Sequence, residues 1–185
     1  MIKDPDAVGA RLQPAGAAMI RRCSGADFPA IEAVVNQAAQ AYRGVIPADC
    51  WHEPYMAGSD LKAEIESGVN FWGWDDSGVL LGIMGLQHVR DVALIRHAYV
   101  QTAHQGRGIG GALVAFLVDQ ATGPLLVGTW AAAVWAIRFY ERHGFRLVSP
   151  AEKDRLLSTY WDISLRQKET SVVLASTRHS VPAEI

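Results

Sequence analysis

Apolar residues recur along this chain with two distinct periods, and the points where the period changes mark its elements. Residues 95–100 form a short apolar run with the β-formers Ile95, Tyr99 and Val100, the end of a strand predicted over 92–100. From Ile109 the spacing becomes helical, with Ile109, Leu113, Phe116 and Leu117 on one face. Between the two lies Gln105-Gly106-Arg107-Gly108-Ile109-Gly110-Gly111. The pattern is strand, glycine turn, helix.

The rest of the chain reads around that unit. A first strand is predicted over 20–23, then a helix capped by Asp27 with Pro29 in its first turn. Phe28, Ile31, Val34, Val35 and Tyr42 give this helix its apolar face, and Gly44 and Pro47 end it. An irregular, aromatic-rich segment follows over 43–55, then a short helix over 61–67. Strands over 70–74 and 79–88 are joined by Asp75-Asp76-Ser77-Gly78, and Arg90-Asp91 turns the chain into the strand at 92–100. Three strands joined by short turns imply an antiparallel meander, with a bulge marked by Gly82 and Gly85. After the motif helix, Gly123-Pro124 precedes a strand over 125–130, parallel to 92–100 if the helix is a crossover. A helix over about 133–143 ends at Gly144; a strand over 145–148, a short helix within 151–160 and a strand over 170–175 complete the series. Residues 1–18 read as a loose arm, 19–176 as one domain and 177–185 as a polar tail.

The glycine turn has a chemical meaning. The first N–H groups of a helix lack partners within it and carry about half a positive charge. Four glycines within six residues remove the Cβ atoms that would keep an anion away from them. A phosphate or pyrophosphate is the expected ligand, with Arg107 as an added cation. Tight packing at a strand-to-helix corner is the plainer reading of the same glycines. Gly106, Gly108 and Gly111 also fit G-x-G-x-x-G, but no acidic residue ends a second strand about twenty residues on. No Gly-Lys-Ser/Thr follows either, so the turn is not a Walker A loop.

Composition narrows the classes. The 185 residues are half apolar, enough for one domain with a substantial core. A net charge of −2 without a basic run argues against nucleic acid. The longest uncharged apolar run, 124–137, is too short to span a membrane, and no signal peptide is evident, so a cytoplasmic protein is expected. Cys23 and Cys50 are too few for a disulfide framework or a zinc cluster, and no metal is expected.

Residues 105–110, preceded by a strand ending at Val100, resemble the Q/R-x-x-G-x-G/A acetyl-CoA motif of the GNAT superfamily of N-acetyltransferases. Ala136-Ile137-Arg138-Phe139-Tyr140-Glu141-Arg142-His143-Gly144-Phe145 resembles that family's A-I-x-F-Y-E-x-x-G-F segment. The two motifs stand in the family's order and separation. The resemblance, over roughly 20–176, implies an α/β (α+β) GNAT fold: a central mixed, mostly antiparallel sheet of six to seven strands flanked by about four helices.

It also implies acetyl-CoA as co-substrate, no metal, and transfer of acetyl to a primary amine of a small molecule by direct attack in a ternary complex. Cofactor contacts would come from Ala98, Tyr99 and Val100, from Gln105, Gly106, Arg107, Gly108, Ile109, Gly110 and Gly111, and from Tyr140. Tyr140, at the family's Phe-Tyr position, is the implied general acid; its plainer reading is a helix aromatic packed beside Phe139. The base is open. Leu94 stands where some relatives carry glutamate, leaving His97 on the strand, Glu53 in the acceptor-side loop, or relayed water. A lone strand histidine is more often a core residue. Trp51 and Tyr55 either wall the acceptor pocket or seal the core edge. Thr102 replaces a frequent Pro, and Ala133 replaces an Asn that helps hold the cofactor arm. Alternatives are a non-catalytic acyl-CoA-binding or regulatory domain, acetylation of a protein N-terminus or lysine, and transfer of a longer acyl group. Dimerisation through an edge strand is an expectation from the family.

Overall fold

The computed structural model describes residues 18–178. In chain order the elements are β1 (Met19–Arg22), α1 (Phe28–Ala38), α2 (Gly58–Glu66), β2 (Asn70–Asp76), β3 (Val79–Val89), β4 (Val92–Val100), α3 (Ile109–Gln120), β5 (Leu125–Trp130), α4 (Val134–Arg142), β6 (Phe145–Leu147), α5 (Pro150–Tyr160), α6 (Leu165–Glu169) and β7 (Ser171–Ser176). All seven strands join one sheet in the order β1-β2-β3-β4-β5-β7-β6. Among the described residues, only the β4–β5 pair is parallel. The fold is the mixed, mostly antiparallel sheet expected, with six α-helices among the described residues rather than about four. The arm and tail expected at the two ends lie, but for Ala18, Thr177 and Arg178, outside the described residues.

Helices cover both faces of the sheet. Leu113 and Leu117 of α3 pack with Leu81, Ile95 and Val127 on one face. On the other, Ile31 and Val35 of α1 and Leu61 of α2 meet Phe71 and Ile83, and Leu156 and Leu157 of α5 cover Leu94 and Leu126. Sandwiched between helices, β3 is almost continuously buried instead of alternating. Fully burying each such Leu or Ile contributes about 1.5–3 kcal/mol. Among the described residues no helix is long and apolar enough to cross a membrane.

Two features position the cavity described below. The β4–β5 ladder holds only three pairs, Ala93↔Leu125, Leu94↔Leu126 and Ile95↔Val127, after which the strands part. Just there β4 carries a bulge: Gly85 faces Arg96 and Ile83 faces Tyr99, so His97 and Ala98 together oppose Met84. His97 takes up the distortion at φ 50°. Gly85 permits it by close approach, because a Cβ there would lie 2.7 Å from Val69 and 3.0 Å from the Arg96 carbonyl.

One helix start differs from expectation. Asp27 occupies the N-cap position of α1, but its side chain caps nothing in that helix. Its carboxylate accepts instead from the Arg21 guanidinium at 2.8 and 3.0 Å and from the Ser24 N–H at 2.7 Å. Arg21 also reaches Asp75 at 2.7 Å, tying β1 to the end of β2. A charge-assisted bidentate bond outcompetes a neutral cap for the same oxygens.

Candidate active site

A cavity of about 740 Å³ opens where β4 and β5 part. Its mouth is the glycine turn, and the four glycines divide into two pairs. Gly106 and Gly108 have φ of 76° and 82°, a backbone region costly to other residues, and a Cβ on either would meet nothing within 4 Å. Gly110 and Gly111 face α4 instead, where a Cβ would lie 3.3 Å from the Phe139 ring and 2.7 Å from His143 Nε2 respectively. So the first pair shapes an open cradle, and the second lets α3 pack against α4.

The amides that open α3 have no partner within the helix. The N–H of Ala112 makes the first intrahelical bond, to the Gly108 carbonyl at 2.9 Å, and no side chain caps α3. The N–H groups of Ile109, Gly110 and Gly111 therefore begin the helix without a carbonyl a turn behind them. Gln105 Nε2 donates to the Val100 carbonyl at 3.1 Å, holding the loop against the strand end. Arg107 is exposed and outside the cavity lining, while Ile109 is buried with its side chain in the core.

Deeper in, Ala98, Tyr99 and Val100 line the cavity from β4 and Gly128, Thr129 and Trp130 from β5. Tyr140 of α4 lies between these walls, 4% exposed, its ring edge-on to Phe139 at 5.1 Å and to Phe145 at 5.5 Å. Burial, and then the nearby Tyr42 hydroxyl, raise its phenol pKa well above the ordinary value. The phenol holds its proton throughout the neutral range.

The structure separates the two side chains weighed as a base. Glu53 is 59% exposed, lies 3.8 Å from Arg43 and does not line the cavity. His97 does line it, at the β4 bulge, with its ring 6.0 Å from that of Phe71. Its Nε2 is buried 3.2 Å from Glu64 Oε2 of α2, at ion-pair distance but without a hydrogen bond. Glu64 also receives the Arg96 guanidinium on both carboxylate oxygens, at 2.7 and 2.8 Å, and Arg96 reaches Gln87 at 2.7 Å. Burial pushes the Glu64 carboxyl up, but His97 and Arg96 together outweigh it and hold the pKa below the usual value. Glu64 was not singled out in the sequence, because only the bulge brings it to His97.

The far end of the cavity is aromatic. Tyr42, in a short helical turn after α1, lies 5.8 Å from Tyr55, 6.4 Å from Tyr99 and 5.7 Å from Trp135. Trp51 packs on Tyr55 at 5.5 Å, and Trp130 Nε1 donates to the Tyr55 hydroxyl at 3.2 Å. Trp51 and Tyr55 thus belong to one cluster, with Tyr55 on the cavity wall and Trp51 behind it. Burial, then the Tyr55 hydroxyl, push the Tyr42 phenol up to about 12, and burial likewise raises Tyr55 and Tyr99. All three phenols are neutral donors at physiological pH. Among the described residues, no group of three His, Cys, Asp or Glu side chains could hold a metal ion.

Comparison with known proteins agrees with this geometry. Residues 67–147 match the family model described as an acetyltransferase (GNAT) domain. Peptidyl-lysine N-acetyltransferase YiaC of Escherichia coli (strain K12) is 28% identical over 146 residues, covering 79% of this chain and 95% of that protein. A GNAT-family acetyltransferase from Staphylococcus aureus Mu50 superposes with a TM-score of 0.65 at 14% identity, over 86% of this chain and 98% of that one. The PaiA N-acetyltransferase of Thermoplasma acidophilum, solved with coenzyme A, gives 0.64 at 16% identity, over 87% and 99%.

Proposed function

This chain belongs to the GNAT superfamily of acetyl-CoA-dependent N-acetyltransferases, and from that premise we propose that it acetylates a primary amine of a small molecule by direct attack in a ternary complex. The observation that carries the reading is the parting of β4 and β5 beside the uncapped start of α3. One end of that opening suits an anion and the other suits an apolar amine.

Acetyl-CoA supplies an activated acetyl thioester, whose carbonyl carbon the amine nitrogen attacks with release of the thiol. The amides at Ile109, Gly110 and Gly111, reached over the bare backbone of Gly106 and Gly108, hold phosphate oxygens. Gln105 keeps that loop in place, and Arg107 adds a diffuse positive field from the surface. Backbone N–H groups over Ala98 to Val100, beyond the last β5 pairing, polarise the carbonyl; such a donor is typically worth about 10²–10³ in rate. Tyr140 donates a hydrogen bond to the departing sulfur. Its raised pKa makes it a stabiliser of developing charge first and a complete proton donor second.

His97 accepts the proton that the amine loses. Glu64 acts behind it as a positioning residue: a carboxylate beside Nε2 favours the tautomer protonated there and leaves the Nδ1 lone pair for the amine. Arg96 neutralises that carboxylate, so the pair adds little net charge to the cavity.

Titration of the protein with acetyl-CoA by calorimetry tests the reading, with Gly108→Glu as the control that puts a carboxylate into the cradle. Micromolar binding by the wild type and loss of at least a hundredfold in the folded variant are expected. Absence of wild-type binding would overturn it. A protein lysine is the second reading, favoured by the likeness to a peptidyl-lysine N-acetyltransferase. The small molecule is preferred because the segment before α2 folds over the acceptor end, tied by Trp130 to Tyr55 and by Arg166 to Asp49.

A further inference from the structure

Five aromatic side chains line the acceptor end of the cavity: Tyr42, Tyr55, Tyr99, Trp130 and Trp135. They come from five separate places in the chain, so no single helix or strand period explains their meeting. Tyr55, Tyr42 and Trp135 form a row of tilted rings, inclined by 27° and 32° at centroid distances of 5.8 and 5.7 Å. Tyr99 meets Tyr42 edge-on, at 85°. Trp135 closes the row and is 45% exposed, so one ring is half bare at the rim. The bare indole face is surface that a bound aromatic ring could cover.

The charges around this cluster are equally selective. Among the described residues, no Asp or Glu lines the cavity. The acids nearby are engaged elsewhere: Glu64 by Arg96, Asp49 by Arg166 at 3.0 Å, and Glu53 beside Arg43. Polar groups on the acceptor wall, such as Thr129, Gln167 and Ser171, are neutral. Ring faces attract one ammonium group, and an apolar wall favours its deprotonation, as attack requires. A second cationic centre would find no carboxylate and would be desolvated without a partner.

We infer that the acceptor is an aromatic monoamine, an aryl ring joined by a short chain to one primary amine, whose ring extends the Tyr55–Tyr42–Trp135 row while the amine points toward His97. Polyamines and cationic peptides are excluded by the same wall. The inference deepens the N-acetyltransferase reading and rests on it.

The test is thiol release from acetyl-CoA with 2-phenylethylamine, spermidine and a Lys-Arg peptide with blocked termini, using wild type and Trp135→Ala. Acetyl-CoA binding is measured in parallel by calorimetry. Trp135 is half exposed, so its truncation spares the core, and circular dichroism verifies the fold. We expect kcat/KM for 2-phenylethylamine at least tenfold above either competitor, and a three- to tenfold rise in its KM in Trp135→Ala, the worth of about one aromatic contact. Preference for spermidine or the peptide, an unchanged KM in Trp135→Ala, or no turnover of the panel by a protein that binds acetyl-CoA would overturn this inference alone. Failure to bind acetyl-CoA would overturn the acetyltransferase reading and this inference with it.

Discussion

The two ends of the cavity are built in opposite ways. At the mouth, the proposed recognition is made by backbone: the amides that begin α3, the left-handed Gly106 and Gly108, and a strand left without its neighbour past Ile95. Nearly all of it lies within 95–111, one continuous stretch. At the acceptor end, the proposed recognition is made by side chains from β4, β5, α4 and two irregular segments, joined by packing and hydrogen bonds across as many as 75 positions. A backbone site is set by local conformation and tolerates change around it. A side-chain site varies with every residue that contributes to it, which is how one scaffold can keep a cofactor and exchange acceptors.

The largest effect is expected where the two ends meet. Tyr140→Phe removes one hydroxyl from a buried ring and leaves its packing on Phe139 and Phe145 intact. Loss of a general acid typically costs about 10²–10⁴ in kcat, while acetyl-CoA affinity should change less than threefold. Steady-state kinetics with calorimetry measure both. An unchanged kcat would make Tyr140 a packing residue and leave stabilisation of the departing thiol to other groups.

That contrast also explains what could be read from the chain. The strand at 92–100, the glycine turn, and the strand at 125–130 were legible because conformation and period are local properties. The sharing of labour among the four glycines was not: only the contact with α4 separates Gly111, facing His143, from Gly106, facing open space. Tyr42 read as part of the apolar face of α1, but the helix ends at Ala38 and a tighter turn rotates Tyr42 into the cavity. Glu64 read only as a polar position on a short helix. Its meeting with His97 depends on one extra residue in β4, a register event that a hydrophobic pattern does not record. The short polar α6 was missed because five residues carry too little period, although Ser164 caps it by accepting from the Gln167 N–H.

A smaller effect sharpens the acceptor side. Glu64→Gln keeps the size of the side chain but removes the charge that Arg96 and His97 share. A loss of about tenfold in kcat with KM nearly unchanged is expected, together with about 2 kcal/mol of stability, the usual worth of a hydrogen bond to a charged group. The pH dependence gives an independent check. The Glu64 carboxyl is held below its ordinary pKa in the folded protein, so its contribution is present above the unfolded value, about 4.3, and disappears as pH falls through the folded one. Denaturant unfolding at pH 6 and pH 3 should therefore show a smaller loss of stability in Glu64→Gln than in the wild type. Equal losses would remove Glu64 from the role of a charged anchor.

The smallest effect tests the cofactor side. In Gly111→Ala the new Cβ would stand 2.7 Å from His143 Nε2, and the imidazole has little room to yield, with Nδ1 2.7 Å from the Phe139 carbonyl and its ring 4.5 Å from that of Phe139. Overpacking costs about 1–3 kcal/mol, and better helix propensity returns about 1. Gly106→Ala meets no atom but must hold an alanine at φ 76°, at a cost of about 1–2 kcal/mol. The two variants should thus unfold within about 1 kcal/mol of each other, yet differ in cofactor affinity. Gly106→Ala puts a methyl group into the open cradle and should weaken acetyl-CoA binding about tenfold, whereas Gly111→Ala should leave it within twofold. Calorimetry beside urea unfolding separates the two quantities. Equal losses of binding would mean that all four glycines face the cofactor, and that the backbone end of the cavity depends on its packing as much as the aromatic end does.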